Sequence, residues 1–100
     1  MKRIQLDPQE GFNLLAGTQR SQAGTLVLEP GQSVGGPDNT HDGDQWLLVL
    51  SGTGEATVSG EEAELREGTL VLIAAGEPHQ VQNTGGAPLK TLSFYAPPEF

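Results

Sequence analysis

The chain has two histidines, and each stands at the entrance of a strand-like run. His41 lies in NTHDGDQWLLVLSG, residues 39–52, and His79 in GTLVLIAAGEPHQVQN, residues 68–83. Side chains of an extended chain alternate between two faces, so Asn39, His41, Gly43 and Gln45 fall on one side and Asp42 and Asp44 on the other. Leu47 and Val49 continue the first side, which makes it the inward one. An imidazole and two amides over a hydrophobic floor cost about 1–3 kcal/mol each if nothing pairs with them. Water, each other, a ligand or a metal ion must satisfy them. By the same spacing His79, Val81 and Asn83 share a side. If the two strand entrances meet, His41, Gln45 and His79 converge. Two neutral imidazoles and an amide oxygen are adequate ligands for a divalent first-row metal, with positions left for water or substrate.

Short, turn-bounded segments must position these residues. Fourteen glycines and seven prolines spread over 100 residues favour tight turns over long helices. AGTLVLEPG (23–31), QWLLVLSG, the hairpin GEATVSGEEAELREG, TLVLI, HQVQN and LKTLSFY (89–95) read as strands. Only LDPQEGFNLLAG has room for a short helix. Seven or eight strands at about ten-residue spacing predict an all-β sandwich or barrel, a single domain over residues 1–100. WLLVL and LVLI lack polar alternate positions, so both their faces should be covered. A second subunit is the expected cover, giving a homodimer built on sheet faces.

Composition narrows the partners. Five basic residues against thirteen acidic ones give a net charge of −8, which disfavours nucleic acid and anionic membranes. With no cysteine there is no disulfide, thiolate site or cysteine nucleophile. No apolar stretch approaches the ~20 residues of a membrane helix, and MKRIQLDPQEGF lacks the apolar run of a signal peptide, so a cytoplasmic location is expected. GQSVG (31–35) matches the G-x-S-x-G nucleophile elbow by letter, but Gly36-Pro37-Asp38 follows where a helix should start. Gly52-Thr53-Gly54 lacks the third glycine of a dinucleotide fingerprint.

The second histidine segment resembles the second motif of the cupin superfamily, G-x5-P-x-G-x2-H-x3-N. Gly68, Gly76, His79 and Asn83 match at every spacing, and Ala74 replaces the usual proline. The first motif, G-x5-H-x-H-x3,4-E-x6-G, aligns back from Gly52: its glutamate falls on Gln45, its second histidine on His41, its first on Asn39, and its leading glycine on Ser33. The two motifs span residues 33–52 and 68–83, and FYAPPEF resembles the ending of small one-domain cupins.

The resemblance implies a double-stranded β-helix, or jelly-roll barrel, often dimeric, holding a divalent transition metal such as nickel, zinc, manganese or iron. His41 and His79 carry over as matched ligands, Gln45 carries over by position, and Asn39 is a weak ligand or a water-orienting group. Without the family's carboxylate the ion keeps its full charge, which weakens binding and acidifies bound water. A two-histidine, one-carboxylate iron centre is missing from the inward set, so Lewis-acid isomerase or lyase chemistry is expected rather than a dioxygenase. The expected ligand is a small organic molecule such as a sugar or hydroxy acid, and for an enzyme the expected proton carrier is a bound water or Glu77, which stands beside His79. No arginine or lysine lies between Arg20 and Arg66, which argues against a doubly phosphorylated substrate. The alternative is a metal-free sensor or ligand-binding barrel using the same side chains as hydrogen-bonding groups.

Overall fold

Turn residues cut the chain into nine antiparallel strands and no helix in the computed structural model, which describes residues 1–100. They are β1 (Gly11–Gly17), β2 (Gln22–Leu28), β3 (Ser33–Gly36), β4 (Asp44–Ser51), β5 (Gly54–Val58), β6 (Glu61–Leu65), β7 (Leu70–Ile73), β8 (His79–Gln82) and β9 (Leu89–Ala96). Five strands form one sheet in the order β1-β2-β9-β4-β7, and four form the other in the order β3-β8-β5-β6. The architecture is the expected jelly roll. There is no helix long and apolar enough to cross a membrane.

Two segments correct the sequence reading. LDPQEGFNLLAG forms no helix: its second half is β1, paired antiparallel with β2 through Phe12↔Leu26 and Leu14↔Gly24. A bulge between Leu14 and Ala16 breaks the alternation that would have marked it as a strand. The glycine-rich stretch after Pro30 supplies a further short strand, β3, paired with β8.

The core lies between the sheets and toward one end of the barrel. Leu28, Leu47, Val49, Ala56, Leu65, Val81 and Leu89 are buried together, with Leu26 and Val71 packed against them. Each large side chain so buried stabilises the fold by about 1.5–3 kcal/mol. Period-two alternation places Gln45, Leu47 and Val49 inward on β4, opposite Tyr95, Ser93 and Thr91 of β9. Trp46 and Leu48 therefore face out. The expectation that WLLVL and LVLI are covered on both faces does not hold for the single chain: Trp46, Leu70 and Leu72 are exposed on the outer surface.

Candidate functional site

Residues 37–43 do not extend β4. They form an irregular loop, and backbone hydrogen bonds from the turn before β8 hold its shape. The Gly76 N–H donates to the His41 carbonyl at 2.8 Å, and the His79 N–H donates to the Asn39 carbonyl at 3.1 Å. Asp44, on the outward side, accepts from the Ala75 N–H at 3.0 Å. These contacts stitch the two histidine segments together at the mouth of the barrel. Gly35 makes the approach possible: its φ of 87° is left-handed backbone, and a Cβ there would collide with the His79 carbonyl oxygen.

The mouth opens into a cavity of about 310 Å³ lined by Asn39, His41, Gln45 and His79, with Leu26, Val34, Leu47 and Val81 as apolar wall and floor. The rings of His41 and His79 are 4.7 Å apart, centroid to centroid. All four residues singled out as metal ligands thus line one space. Gly43 does not: a Cβ on it would meet Pro97 and the Ala96 carbonyl, so it marks where the chain's last residues cross the mouth.

Each polar group has a definable state. A carbonyl oxygen only accepts, so the 3.0 Å contact between His79 Nδ1 and the Glu77 carbonyl places the proton on Nδ1. His79 Nε2 then carries the lone pair, and Asn39 Nδ2 donates to it at 3.2 Å. Burial of the ring holds the His79 pKa below the ordinary imidazole value; the neighbouring His41 acts in the same direction, while the Glu77 carbonyl and the carboxylates of Glu77 and Glu99 oppose it. Gln45, 6% exposed, donates from Nε2 to the Ser93 hydroxyl at 3.1 Å, and its Oε1 is buried with no partner.

His41 Nδ1 lies 2.9 Å from Glu99 Oε1. The distance is that of an ion pair, but the angle is not that of an aligned hydrogen bond, and Nδ1 has no other hydrogen-bond partner. Asn39 and Gln45 are neutral amides, and no group of three or more histidine, cysteine or acidic side chains is arranged as a metal cluster.

Glu77 does not reach the cavity lining, which corrects its expected role as proton carrier. Its Oε1 accepts from the Ala74 N–H and its Oε2 from the Ser59 hydroxyl, both at 2.8 Å. The Ala74 bond, then the Ser59 bond, lowers its pKa below the usual carboxylate value. A proline at position 74 has no N–H to give, so the departure from the motif supplies one of the two bonds that hold Glu77 outside the barrel.

Sequence reasoning missed the aromatic rim. Phe12, Tyr95 and Phe100 line the cavity beside His41, with Tyr95 and Phe100 each 5.8 Å from its ring. Burial raises the Tyr95 pKa, which keeps its hydroxyl protonated. The period-two pairing of Tyr95 with Gln45 across β9 and β4 is the signal that could have placed it inside.

Comparison with known proteins agrees with this fold. A family model described as "Cupin domain" matches residues 24–95. Over 77 residues the chain is 30% identical to a mannose-1-phosphate guanylyltransferase of Klebsiella pneumoniae; the match takes in 77% of this chain and only 16% of that protein. Among solved structures, BH2720 from Bacillus halodurans superposes with a TM-score of 0.86 at 29% identity, over 93% of this chain and 74% of that one. A predicted oxalate decarboxylase from Thermotoga maritima superposes with a TM-score of 0.72 at 26% identity, over 80% and 69% respectively.

Proposed function

The chain belongs to the cupin family, and from that premise we propose that its barrel binds a small polar organic molecule, a sugar or hydroxy acid, at a divalent metal held by His41, His79 and Gln45. The observation that carries the reading is the orientation of the rings. His79 gives its Nδ1–H to a backbone carbonyl and His41 turns Nδ1 to a carboxylate, the arrangement that metal-bound imidazoles take, with Nε2 left as the ligating nitrogen. The unpaired Oε1 of Gln45 is a third donor in the same cavity. A bound ion there supplies Lewis acidity toward a substrate oxygen.

The chain's own residues set the ligand's chemistry. At ~30 Å³ per water-sized group, the cavity holds a molecule of about ten non-hydrogen atoms. Its walls are apolar on one side, and no lysine or arginine lines it, so a hydroxyl-rich molecule suits it better than a phosphate. The mannose-1-phosphate guanylyltransferase similarity supports a sugar-related ligand, and covers only a small part of that protein. Asn39 orients a hydroxyl or water beside His79.

One observation favours a second reading. Asn39 Nδ2 already fills the His79 Nε2 lone pair, so the four polar groups also make a metal-free hydrogen-bonding site. Metal analysis after reconstitution with nickel, zinc, manganese or iron(II) separates the two. About one equivalent of metal, lost in the His41→Ala, His79→Ala double variant, supports the metal centre. Metal-free protein that still binds polyols supports the second reading.

A homodimer belongs to the same proposal. On the outer face of the larger sheet, Phe94, Trp46 and Leu72 stand side by side in register, and Leu92, Leu48 and Leu70 form the adjacent row. Sedimentation of the wild type against Trp46→Glu tests whether this apolar grid pairs two copies.

A further inference from the structure

We infer that Glu99, carried across the barrel mouth by the last residues of the chain, is the positioning residue for His41, supplying from outside the barrel a carboxylate that the first motif lacks. The inference rests on the metal-site reading above, with Nε2 of His41 as the ligating atom. Gln45 stands where the family's glutamate would be, so no carboxylate comes from β4's inward face. The only acidic side chain within ion-pair distance of either imidazole is Glu99, whose Oε1 lies 2.9 Å from His41 Nδ1 without the alignment of a hydrogen bond.

The segment that brings it there is held in place. The Gln22 side chain accepts through Oε1 from the Glu99 N–H at 3.2 Å and the Phe100 N–H at 3.0 Å, and donates through Nε2 to the Phe100 carbonyl at 2.7 Å. The Phe100 ring packs on Phe12 at 4.8 Å and on Tyr95 at 5.2 Å, beside His41. Gly43 leaves room for Pro97 to pass. One side chain on β2 therefore fixes the backbone on both sides of Phe100, and the aromatic cluster fixes its ring. Glu99 is delivered to one atom of one histidine.

A carboxylate at Nδ1 selects the tautomer protonated there and leaves Nε2 as the lone-pair nitrogen. Without it nothing beside Nδ1 favours a proton there, and His41 shifts toward the Nε2-protonated form, which cannot ligate through Nε2. His79 already has its own acceptor in the Glu77 carbonyl. The two rings therefore respond differently to the loss of Glu99.

The test uses the full chain, labelled with nitrogen-15 and free of metal, at mildly alkaline pH. Two-dimensional imidazole spectra report the tautomer of each ring. The wild type is expected to hold both rings protonated on Nδ1. Glu99→Ala shifts His41 toward Nε2 protonation and leaves His79 unchanged; Glu99→Asp restores part of the wild-type signal. Gln22→Ala, which frees the strap without touching the cavity, moves His41 in the same direction. Zinc titration by calorimetry then shows a loss of about tenfold or more in affinity for Glu99→Ala. A His41 tautomer that is the same in wild type and Glu99→Ala overturns the inference, as does unchanged zinc affinity. If the wild type takes up no zinc, the metal reading fails by itself, and the tautomer spectra still decide the role of Glu99. Matching thermal melts confirm that the variants are folded.

Discussion

At the far end of β8 from His79, Asn83 is buried with both its amide nitrogen and its carbonyl oxygen paired. Its Nδ2 donates to the Leu28 and Ala87 carbonyls at 2.8 Å each, and its Oδ1 accepts from the Gly85 N–H at 2.9 Å. At the mouth, Gln45 is buried nearly as deeply, gives one bond to Ser93, and leaves Oε1 without a partner. Both are amides on inward-facing positions of the two motifs. The first ties the end of β2 to the turn that follows β8. The second leaves an acceptor open in a cavity shared with His41 and His79. A buried amide with its partners in place is structural, while one with an open acceptor costs free energy unless a water, ion or ligand pairs with it.

The contrast is broken most sharply at Asn83. Asn83→Ala leaves two carbonyls and one N–H without partners and should lower stability by about 3 kcal/mol in urea unfolding. Gln45→Leu removes the open acceptor and should leave stability within about 1 kcal/mol of wild type, or raise it, while abolishing metal or ligand binding. An equal loss of stability at both positions would erase the distinction between the two ends.

A smaller effect follows from His79. Its folded pKa lies below the ordinary 6.5, so above pH 6.5 ring and unfolded chain are both neutral and the stabilisation is complete. As pH falls toward the folded value the unfolded state binds more protons, and this contribution is lost. Thermal melts should show wild-type stability declining as pH drops below 6.5, with His79→Gln flatter over that window. The smallest expected change is at Ala74→Pro. Removing the N–H held by Glu77 should move that carboxyl's titration back up toward its ordinary value, as read by NMR, with the cavity residues undisturbed.

Much of this arrangement was legible in the residue spacing. His79, Val81 and Asn83 share a face because β8 is regular, and Trp46 points away from Gln45 for the same reason on β4. The resemblance over residues 33–83 located both motifs on the barrel. Asn39 and His41 reach the cavity, but from a loop: backbone bonds to Gly76 and His79 place them there, where the sequence suggested an extended strand. Glu77 looked available because it adjoins His79, and the bonds from the Ala74 N–H and the Ser59 hydroxyl show where its carboxylate is held instead.

What the spacing could not reveal comes from the chain's two ends. Phe12, Glu99 and Phe100 join the site through pairing between β1 and β2 and through the Gln22 clamp, contacts across as many as 78 positions. Local periodicity carries no information over such separations. Tyr95 was nearer to being readable, since its β9 neighbours alternate cleanly, and it pairs with Gln45.

Anomalous diffraction from crystals grown with zinc or nickel tests the central claim most directly. One strong peak is expected inside the barrel, contacted by Nε2 of His41, Nε2 of His79 and Oε1 of Gln45, with Glu99 still against Nδ1 of His41. Peaks confined to the acidic outer surface, with Asn39 still hydrogen-bonded to His79, would contradict it.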